Sequence, residues 1–152
     1  MQKFKRPAPF EHDFPASSFL PQALPQAYAN RVVGSLHIYG AINLGKTEWA
    51  CAQFENPLYV TSRDGLRAFR PHVHDGIVID KMVFQAWTVT DCESLTDWTK
   101  PASVTCRYGD AQIPKNTPKI IVTNAQDVWP ADPYGQIVGR RVAQMHITAR
   151  MY

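Results

Sequence analysis

Apolar and polar residues alternate along the chain in runs of different period. Residues 31–39 are rich in β-branched and aromatic side chains and lead to Gly40, which predicts a strand that ends in a turn. Residues 46–54 space their bulky side chains like one face of a helix, and Asn56-Pro57 provides a stop signal. A strand, a glycine loop and a helix are therefore predicted in that order.

Further apolar runs are typical of strands. Strands are predicted within residues 58–61, 76–80, 102–113, 119–123 and 143–149. Runs with few polar positions, such as 76–80, are typical of strands buried on both faces, whereas the period of two in 143–149 predicts a half-buried strand. Residues 83–98 are predicted to form a helix, which the β-branched stretch 88–90 weakens. An α/β fold with an internal sheet follows.

The first thirty residues differ from the rest of the chain. They contain five prolines, which remove backbone donors and disfavour helix: Pro7, Pro9, Pro15, Pro21 and Pro25. We therefore expect residues 1–30 to be an arm or linker, either disordered or docked through Phe14, Phe19 and Leu20. Residues 31–152 are expected to form one domain.

Composition narrows the class of protein. A chain of 152 residues with 45% hydrophobic and 19% charged residues is expected to be one globular domain, because disordered and membrane-spanning chains have other compositions. The basic start MQKFK is not followed by an apolar segment, so an intracellular protein without membrane contact is expected. Three scattered cysteines, Cys51, Cys92 and Cys106, are expected to be buried free thiols. A net charge of +3 permits contact with nucleic acid without predicting it.

The strongest chemical signal is a complete phosphate-loop motif. It consists of Gly40, Ala41, Ile42, Asn43, Leu44, Gly45, Lys46 and Thr47, which match GxxxxGK[ST] between a predicted strand and a predicted helix. In such a loop the backbone amides surround the β-phosphate, Lys46 reaches the β- and γ-phosphate oxygens, and the Thr47 hydroxyl ligates Mg²⁺. ATP and Mg²⁺ are therefore the predicted ligands.

Two other predicted strands end in polar residues that suit the same chemistry. Asp80 ends the strand 76–80, where a carboxylate can serve Mg²⁺ and the attacking water. Many such sites carry a second acid next, but this chain has Lys81, which either repels the metal or points outward. Asn124 follows the strand 119–123, where a residue that senses the γ-phosphate would lie.

In this order the three motifs resemble the superfamily 3 helicase domain of replication initiators from circular single-stranded DNA viruses, such as circoviruses and geminiviruses. The resemblance covers residues 31–150. It implies an AAA+-like P-loop NTPase fold with a central, mostly parallel five-stranded sheet. It also implies ATP-driven translocation on single-stranded DNA, assembly into a hexameric ring and a place in the host cell nucleus.

The resemblance also implies roles for individual residues. Asn124 looks like the sensor asparagine, and the segment from Arg107 to Lys115 looks like the hairpin whose lysine tracks DNA. Arg140 or Arg141 would be the arginine finger that reaches a neighbouring subunit's nucleotide. For Lys115 an exposed loop lysine is the alternative, and for the arginines an ordinary solvated pair.

The chain departs from this family at several positions. Lys81 replaces the second acid, which puts hydrolysis in question. Full initiators carry a nicking domain with a His-hydrophobic-His metal pair and a tyrosine followed by lysine at the third position. The stretch His72-Val73-His74 matches the pair, but it lies inside the ATPase domain, and none of the tyrosines has that lysine. Ordinary histidines are favoured, and the chain is expected to be the motor part of a longer protein, which can be monomeric as an isolated domain.

Two other functions are alternatives to that of a motor domain. A nucleotide-gated assembly or DNA-binding module would bind ATP with catalysis blunted by Lys81. A small-molecule kinase is disfavoured, because no arginine-rich lid segment is apparent and Asn124 would have no role. The aromatic residues Trp49, Phe54, Trp87 and Trp98 are expected to pack in the core or an interface rather than to stack on bases.

Overall fold

The computed structural model describes residues 35–97, 99–133, 135–136 and 142–148. The predicted arm 1–30 lies outside these ranges, as do Trp98, Arg140 and Arg141. In chain order the elements are β1 (Ser35–Gly40), α1 (Lys46–Ala52), β2 (Pro57–Val60), a 3-10 helix (Asp64–Ala68), β3 (Gly76–Asp80), α2 (Val89–Thr96), β4 (Ala102–Val104), β5 (Ala111–Ile113), β6 (Lys119–Thr123) and β7 (Ala143–Ile147).

Five strands form a central sheet in the order β2-β3-β6-β1-β7, and every neighbouring pair is parallel. This confirms an α/β protein with a five-stranded parallel sheet. Because the strands are parallel, their carboxyl ends meet at one edge, here called the carboxyl edge; the opposite edge is called the amino edge. From β1 the chain continues to β2, which lies on one side of β1 in the sheet, whereas the last strand, β7, lies on the other side of β1. Ligands of open α/β sheets bind at such a reversal, beyond the carboxyl ends of the strands.

Hydrophobic side chains cover both faces of the sheet. On the face of α1, the core includes Leu36, Ile38, Trp49, Val78 and Ile120. On the other face, it includes Ile79, Phe84, Trp87, Leu95 and Ile121. Burial on both faces explains why the central strands are continuous apolar runs. Trp49, Phe54 and Trp87 are buried in these cores, and the three cysteines are buried free thiols, as predicted.

The predicted helix over 83–98 is wrong in its first part, because α2 begins only at Val89. The backbone N–H of Phe84 donates to the Val128 carbonyl at 2.7 Å, and Phe84 stacks on Trp129, so tertiary contacts fix this segment as irregular chain. Thr88 is extended, and its hydroxyl accepts a hydrogen bond from the backbone N–H of Asp91. Thr88 therefore caps the helix rather than lying within it.

Other predicted bounds need smaller corrections. The strand over Gly76–Asp80 is confirmed with the same bounds, whereas α1 ends at Ala52, two residues early. Residues 102–113 are not one strand but an antiparallel hairpin, in which β4 and β5 pair and residues 105–110 form the turn. The final strand ends at Ile147.

Candidate nucleotide site

The loop between β1 and α1 curls at the carboxyl edge. Asn43 and Gly45 both adopt left-handed backbone conformations, with φ of 63° and 83°. Such conformations suit glycine and asparagine better than other residues. Gly45 immediately precedes α1, and its carbonyl accepts the backbone N–H of Trp49 at 2.9 Å. The loop therefore turns back over the start of the helix within a few residues.

Gly40 allows this loop to leave the sheet beside β7. A Cβ atom added at Gly40 would overlap the backbone carbonyl oxygen of Ile147. Because that obstacle is backbone, no side-chain movement relieves it. The first glycine of the motif is thus required by packing against the neighbouring strand.

Lys46 is buried and lies inside the curl of the loop. Its ammonium group donates to the carbonyl oxygens of Gly40 at 3.0 Å and Ala41 at 2.5 Å. Burial lowers the pKa of Lys46, and the nearby Asp80 carboxylate opposes that shift. The group is a desolvated cation held by neutral carbonyl oxygens, which a phosphate oxygen can replace with gain of charge pairing.

Asp80 accepts two hydrogen bonds on the same oxygen. The Thr47 hydroxyl donates to Oδ2 at 3.1 Å, and the Tyr59 hydroxyl donates to it at 2.7 Å. Burial and the hydrogen bond to Asp80 raise the pKa of Tyr59, so its hydroxyl stays protonated and donates. No local pattern in the sequence predicts this role for Tyr59. The available signal is that a tyrosine in a strand has a hydroxyl group that needs a hydrogen-bond partner.

One cavity of about 450 Å³ at the carboxyl edge brings together most of the predicted phosphate loop, Asp80 and Asn124. Its wall includes residues 42–47 of the loop together with Glu48, Asp80, Lys81, Val122 and Asn124. Three separate segments, the loop, the end of β3 and the end of β6, thus converge on one space. The topology explains this, since β6 lies between β1 and β3.

Lys81 is exposed on the wall of this cavity and has a left-handed backbone, with φ of 61°. Its N–H donates to the carbonyl of Val122 at 3.2 Å, which ties the end of β3 to β6. A lysine seldom adopts this conformation without a local constraint. The position that lacks a second acid therefore brings a cation to the cavity instead.

Thr47 and Asp80 fit a magnesium ion. Mg²⁺ prefers oxygen ligands and keeps several waters, so it is usually held by one or two protein oxygens together with phosphate oxygens. The hydroxyl and the carboxylate already lie within hydrogen-bond distance of each other. In the part of the chain that is described, no group of three or more His, Cys, Asp or Glu residues could hold a metal by itself. Thr47 and Asp80 would therefore supply part of the ligand set, which phosphate oxygens and waters would complete.

The predicted DNA-binding residues do not share one hairpin tip. Arg107 lies in the turn between β4 and β5, and the Asp64 carboxylate holds its backbone N–H at 2.8 Å. Tyr108 beside it is exposed. Lys115 lies beyond β5, in the exposed turn that leads to β6. Arg107 and Lys115 therefore lie in two successive turns, one before and one after β5, and the contact of Lys115 with DNA stays a prediction.

Two pairs of residues singled out in the sequence remain, one of arginines and one of histidines. Arg140 and Arg141 lie outside the described residues. In the pair His72 and His74, the Nδ1 atom of His74 accepts the backbone N–H of Arg70 at 3.0 Å, and His72 is exposed. Burial lowers the pKa of His74. These contacts belong to a turn before β3.

None of the described helices combines the length and apolar character needed to cross a membrane. A scan against models of protein families found no match for the chain, and a search of curated proteins found none either.

Proposed function

We propose that this protein is an ATPase motor domain of a viral rolling-circle replication initiator. In this proposal it has an AAA+-like superfamily 3 helicase fold and couples ATP hydrolysis to movement along single-stranded DNA as a ring oligomer. The observation that carries the proposal is the cavity at the carboxyl edge. Lys46, Thr47, Asp80 and Asn124, which come from three segments of the chain, all line it.

The geometry supports a division of labour among these residues. The Lys46 ammonium exchanges its carbonyl partners for oxygens of the β- and γ-phosphates. Thr47 and Asp80 would hold Mg²⁺, which when bound would neutralise charge on the phosphate oxygens. Asn124 offers an amide to orient water at the γ-phosphate. Arg107 at the hairpin tip provides a cation for the DNA backbone, and Arg140 or Arg141 would reach a neighbouring subunit.

Steady-state ATP hydrolysis tests the proposal. We expect turnover that rises faster than linearly with protein concentration, because each site needs a neighbour, and that increases with single-stranded DNA. The Lys46→Ala variant is expected to lose both nucleotide binding and turnover. If that variant keeps both, the proposed function is wrong.

A second function is favoured by Lys81 alone. A nucleotide-gated assembly would bind ATP and oligomerise without measurable turnover, because the cavity wall carries Lys81 where a second acid would activate water. The same assay separates the two functions. Oligomers that depend on ATP, an inactive parent and activity restored by Lys81→Asp would favour the gated assembly, whereas an active parent favours the motor.

A further inference from the structure

We propose that Tyr59 is a positioning residue, whose hydroxyl holds the Asp80 carboxylate in the orientation that receives Mg²⁺ with the nucleotide. The inference rests on the proposed function, because it needs a site for a nucleotide and its cation. It adds a residue on β2, which lies outside the phosphate loop and is not a neighbour of β1 in the sheet.

The position of Tyr59 follows from the register of β2 and β3. Tyr59 pairs with Val78, two residues before Asp80, and Val78 belongs to the core on the α1 face. The tyrosine ring packs against that same core, next to the residues of α1. Its hydroxyl then reaches Oδ2 of Asp80 at 2.7 Å. The packing of the ring and the pairing of β2 with β3 hold the Tyr59 hydroxyl in this position.

The two donors on Asp80 differ in what else they must do. The Thr47 oxygen is needed as a ligand of the cation, whereas the Tyr59 oxygen has no such task. Both donors contact Oδ2, so neither occupies Oδ1. Tyr59 is thus the donor that can hold the carboxylate while Thr47 and the second carboxylate oxygen serve the metal.

The identity of residue 81 makes this orientation more important. β3 ends in one acid, Asp80, followed by Lys81 on the cavity wall. A second acid at position 81 could also hold the waters of the cation. The orientation of the Asp80 carboxylate would then matter less. A cation in that place also repels Mg²⁺, so the alignment of Asp80 has to compensate.

The experiment measures equilibrium binding of a non-hydrolysable, fluorescent ATP analogue while Mg²⁺ is titrated. In Tyr59→Phe, which keeps the ring, we expect the half-saturating Mg²⁺ concentration to rise about five- to tenfold, as for the net loss of one typical hydrogen bond. Affinity for the analogue without Mg²⁺ should stay within about twofold, because Lys46 and the loop are intact. The matched control is Tyr39→Phe, a strand tyrosine on β1 that stacks on His146.

A second comparison asks whether Tyr59 acts through Asp80. In an Asp80→Ala background, adding Tyr59→Phe should leave the Mg²⁺ dependence unchanged, as expected when one residue works only through the other. An unchanged Mg²⁺ midpoint in Tyr59→Phe, or an equal loss of affinity with and without Mg²⁺, would overturn the inference while the proposed function stands. A parent protein that binds no analogue at all would overturn both.

Discussion

The two edges of the parallel sheet differ in the surroundings of their polar residues. At the amino edge, polar side chains form hydrogen bonds with backbone groups of the fold. The Asp75 carboxylate accepts the backbone N–H groups of Glu55 and Asn56 at 2.8 and 2.9 Å, and the Asn56 amide donates to the carbonyl of Val73 at 2.8 Å. These hydrogen bonds satisfy backbone groups next to the starts of β2 and β3.

At the carboxyl edge, polar side chains border an open space instead. Lys46, Asp80 and Asn124 line one cavity, and two loop residues hold left-handed conformations beside it. Residues in strained backbone conformations and charges with room for a ligand are typical of functional sites. Polar groups at the amino edge thus stabilise the fold, whereas those at the carboxyl edge border a space that can hold a ligand.

The largest expected difference concerns the two buried lysines. Lys46 lies at the carboxyl edge, whereas Lys119 begins β6 at the amino edge, where its ammonium donates to the Thr117 carbonyl at 3.4 Å. Burial lowers the pKa of Lys119 to about 8. Lys46→Met should weaken nucleotide binding roughly 100-fold, by loss of charged hydrogen bonds to phosphate. Lys119→Met should leave binding unchanged, and thermal stability equal or higher.

Calorimetric titration with the nucleotide and thermal unfolding of both variants would check this pair. If both substitutions weakened binding equally, the division between the edges would fail. A large loss of stability in Lys119→Met would show instead that its ammonium group is needed at the amino edge.

Two glycines extend the comparison to backbone packing. A Cβ at Gly40 would overlap the Ile147 carbonyl at the carboxyl edge, and a Cβ at Gly76 would overlap the Phe54 ring at the amino edge. Overpacking of this kind costs about 1–3 kcal/mol of folding free energy. Gly40→Ala should lose stability and nucleotide binding together, because the loop has to shift. Gly76→Ala should lose stability only.

Urea unfolding gives the stability of each glycine variant, and nucleotide titration under native conditions gives its affinity. Normal affinity in Gly40→Ala would mean that the loop tolerates displacement from β7. In that case the close approach of the two strands would not be a requirement of the site.

The contrast between the edges also explains what the sequence could predict. The phosphate loop, Asp80 and Asn124 were each predicted because a local pattern, a strand followed by a polar residue, marks the carboxyl edge. Tyr59 was missed because its contact with Asp80 depends on the pairing of β2 with β3, which no short pattern encodes. Local signals locate residues along one strand, and the pairing of strands decides which of them meet.

The error at residues 83–88 has a similar origin. Phe84 and Trp87 are apolar at near-helical spacing, yet Phe84 is fixed by the Val128 carbonyl and the Trp129 ring from a distant part of the chain. The correct start of α2 was available as a local signal, because Thr88 and Asp91 have the spacing of a helix cap. The hairpin turn after β4 was less predictable, since its anchor is Asp64 on the 3-10 helix.

A buried histidine makes the carboxyl edge sensitive to acid. The Thr123 hydroxyl donates to the Ala125 carbonyl at 2.7 Å, so it accepts from Nε2 of His37, also at 2.7 Å. Nδ1 of His37 has no hydrogen-bond partner among the described residues. Burial lowers the pKa of His37 to about 4, and Gln144 opposes only part of the shift.

The sign of the pH effect follows from this shift. Unfolded His37 takes up a proton near pH 6.5, whereas the folded protein resists it until about pH 4. Stability therefore falls as the pH drops through this window, by about 2 kcal/mol between pH 7 and pH 5. Urea unfolding at several pH values should show a shallower dependence in His37→Gln than in the parent, while the exposed control His72→Gln should follow the parent. Equal slopes in all three proteins would contradict the assignment.

The smallest expected effect lies at the amino edge. Asp75→Ala removes the acceptor for two backbone N–H groups near the start of β2. The N–H of the exposed Glu55 can turn to water, whereas Asn56 is buried and its N–H loses its partner. We expect a loss of about 1 kcal/mol in the free energy of unfolding. Nucleotide affinity and its Mg²⁺ dependence should not change, since Asp75 lies at the opposite end of β3 from Asp80. Altered Mg²⁺ dependence in this variant would mean that β3 transmits strain along its length, and that the two edges are not independent.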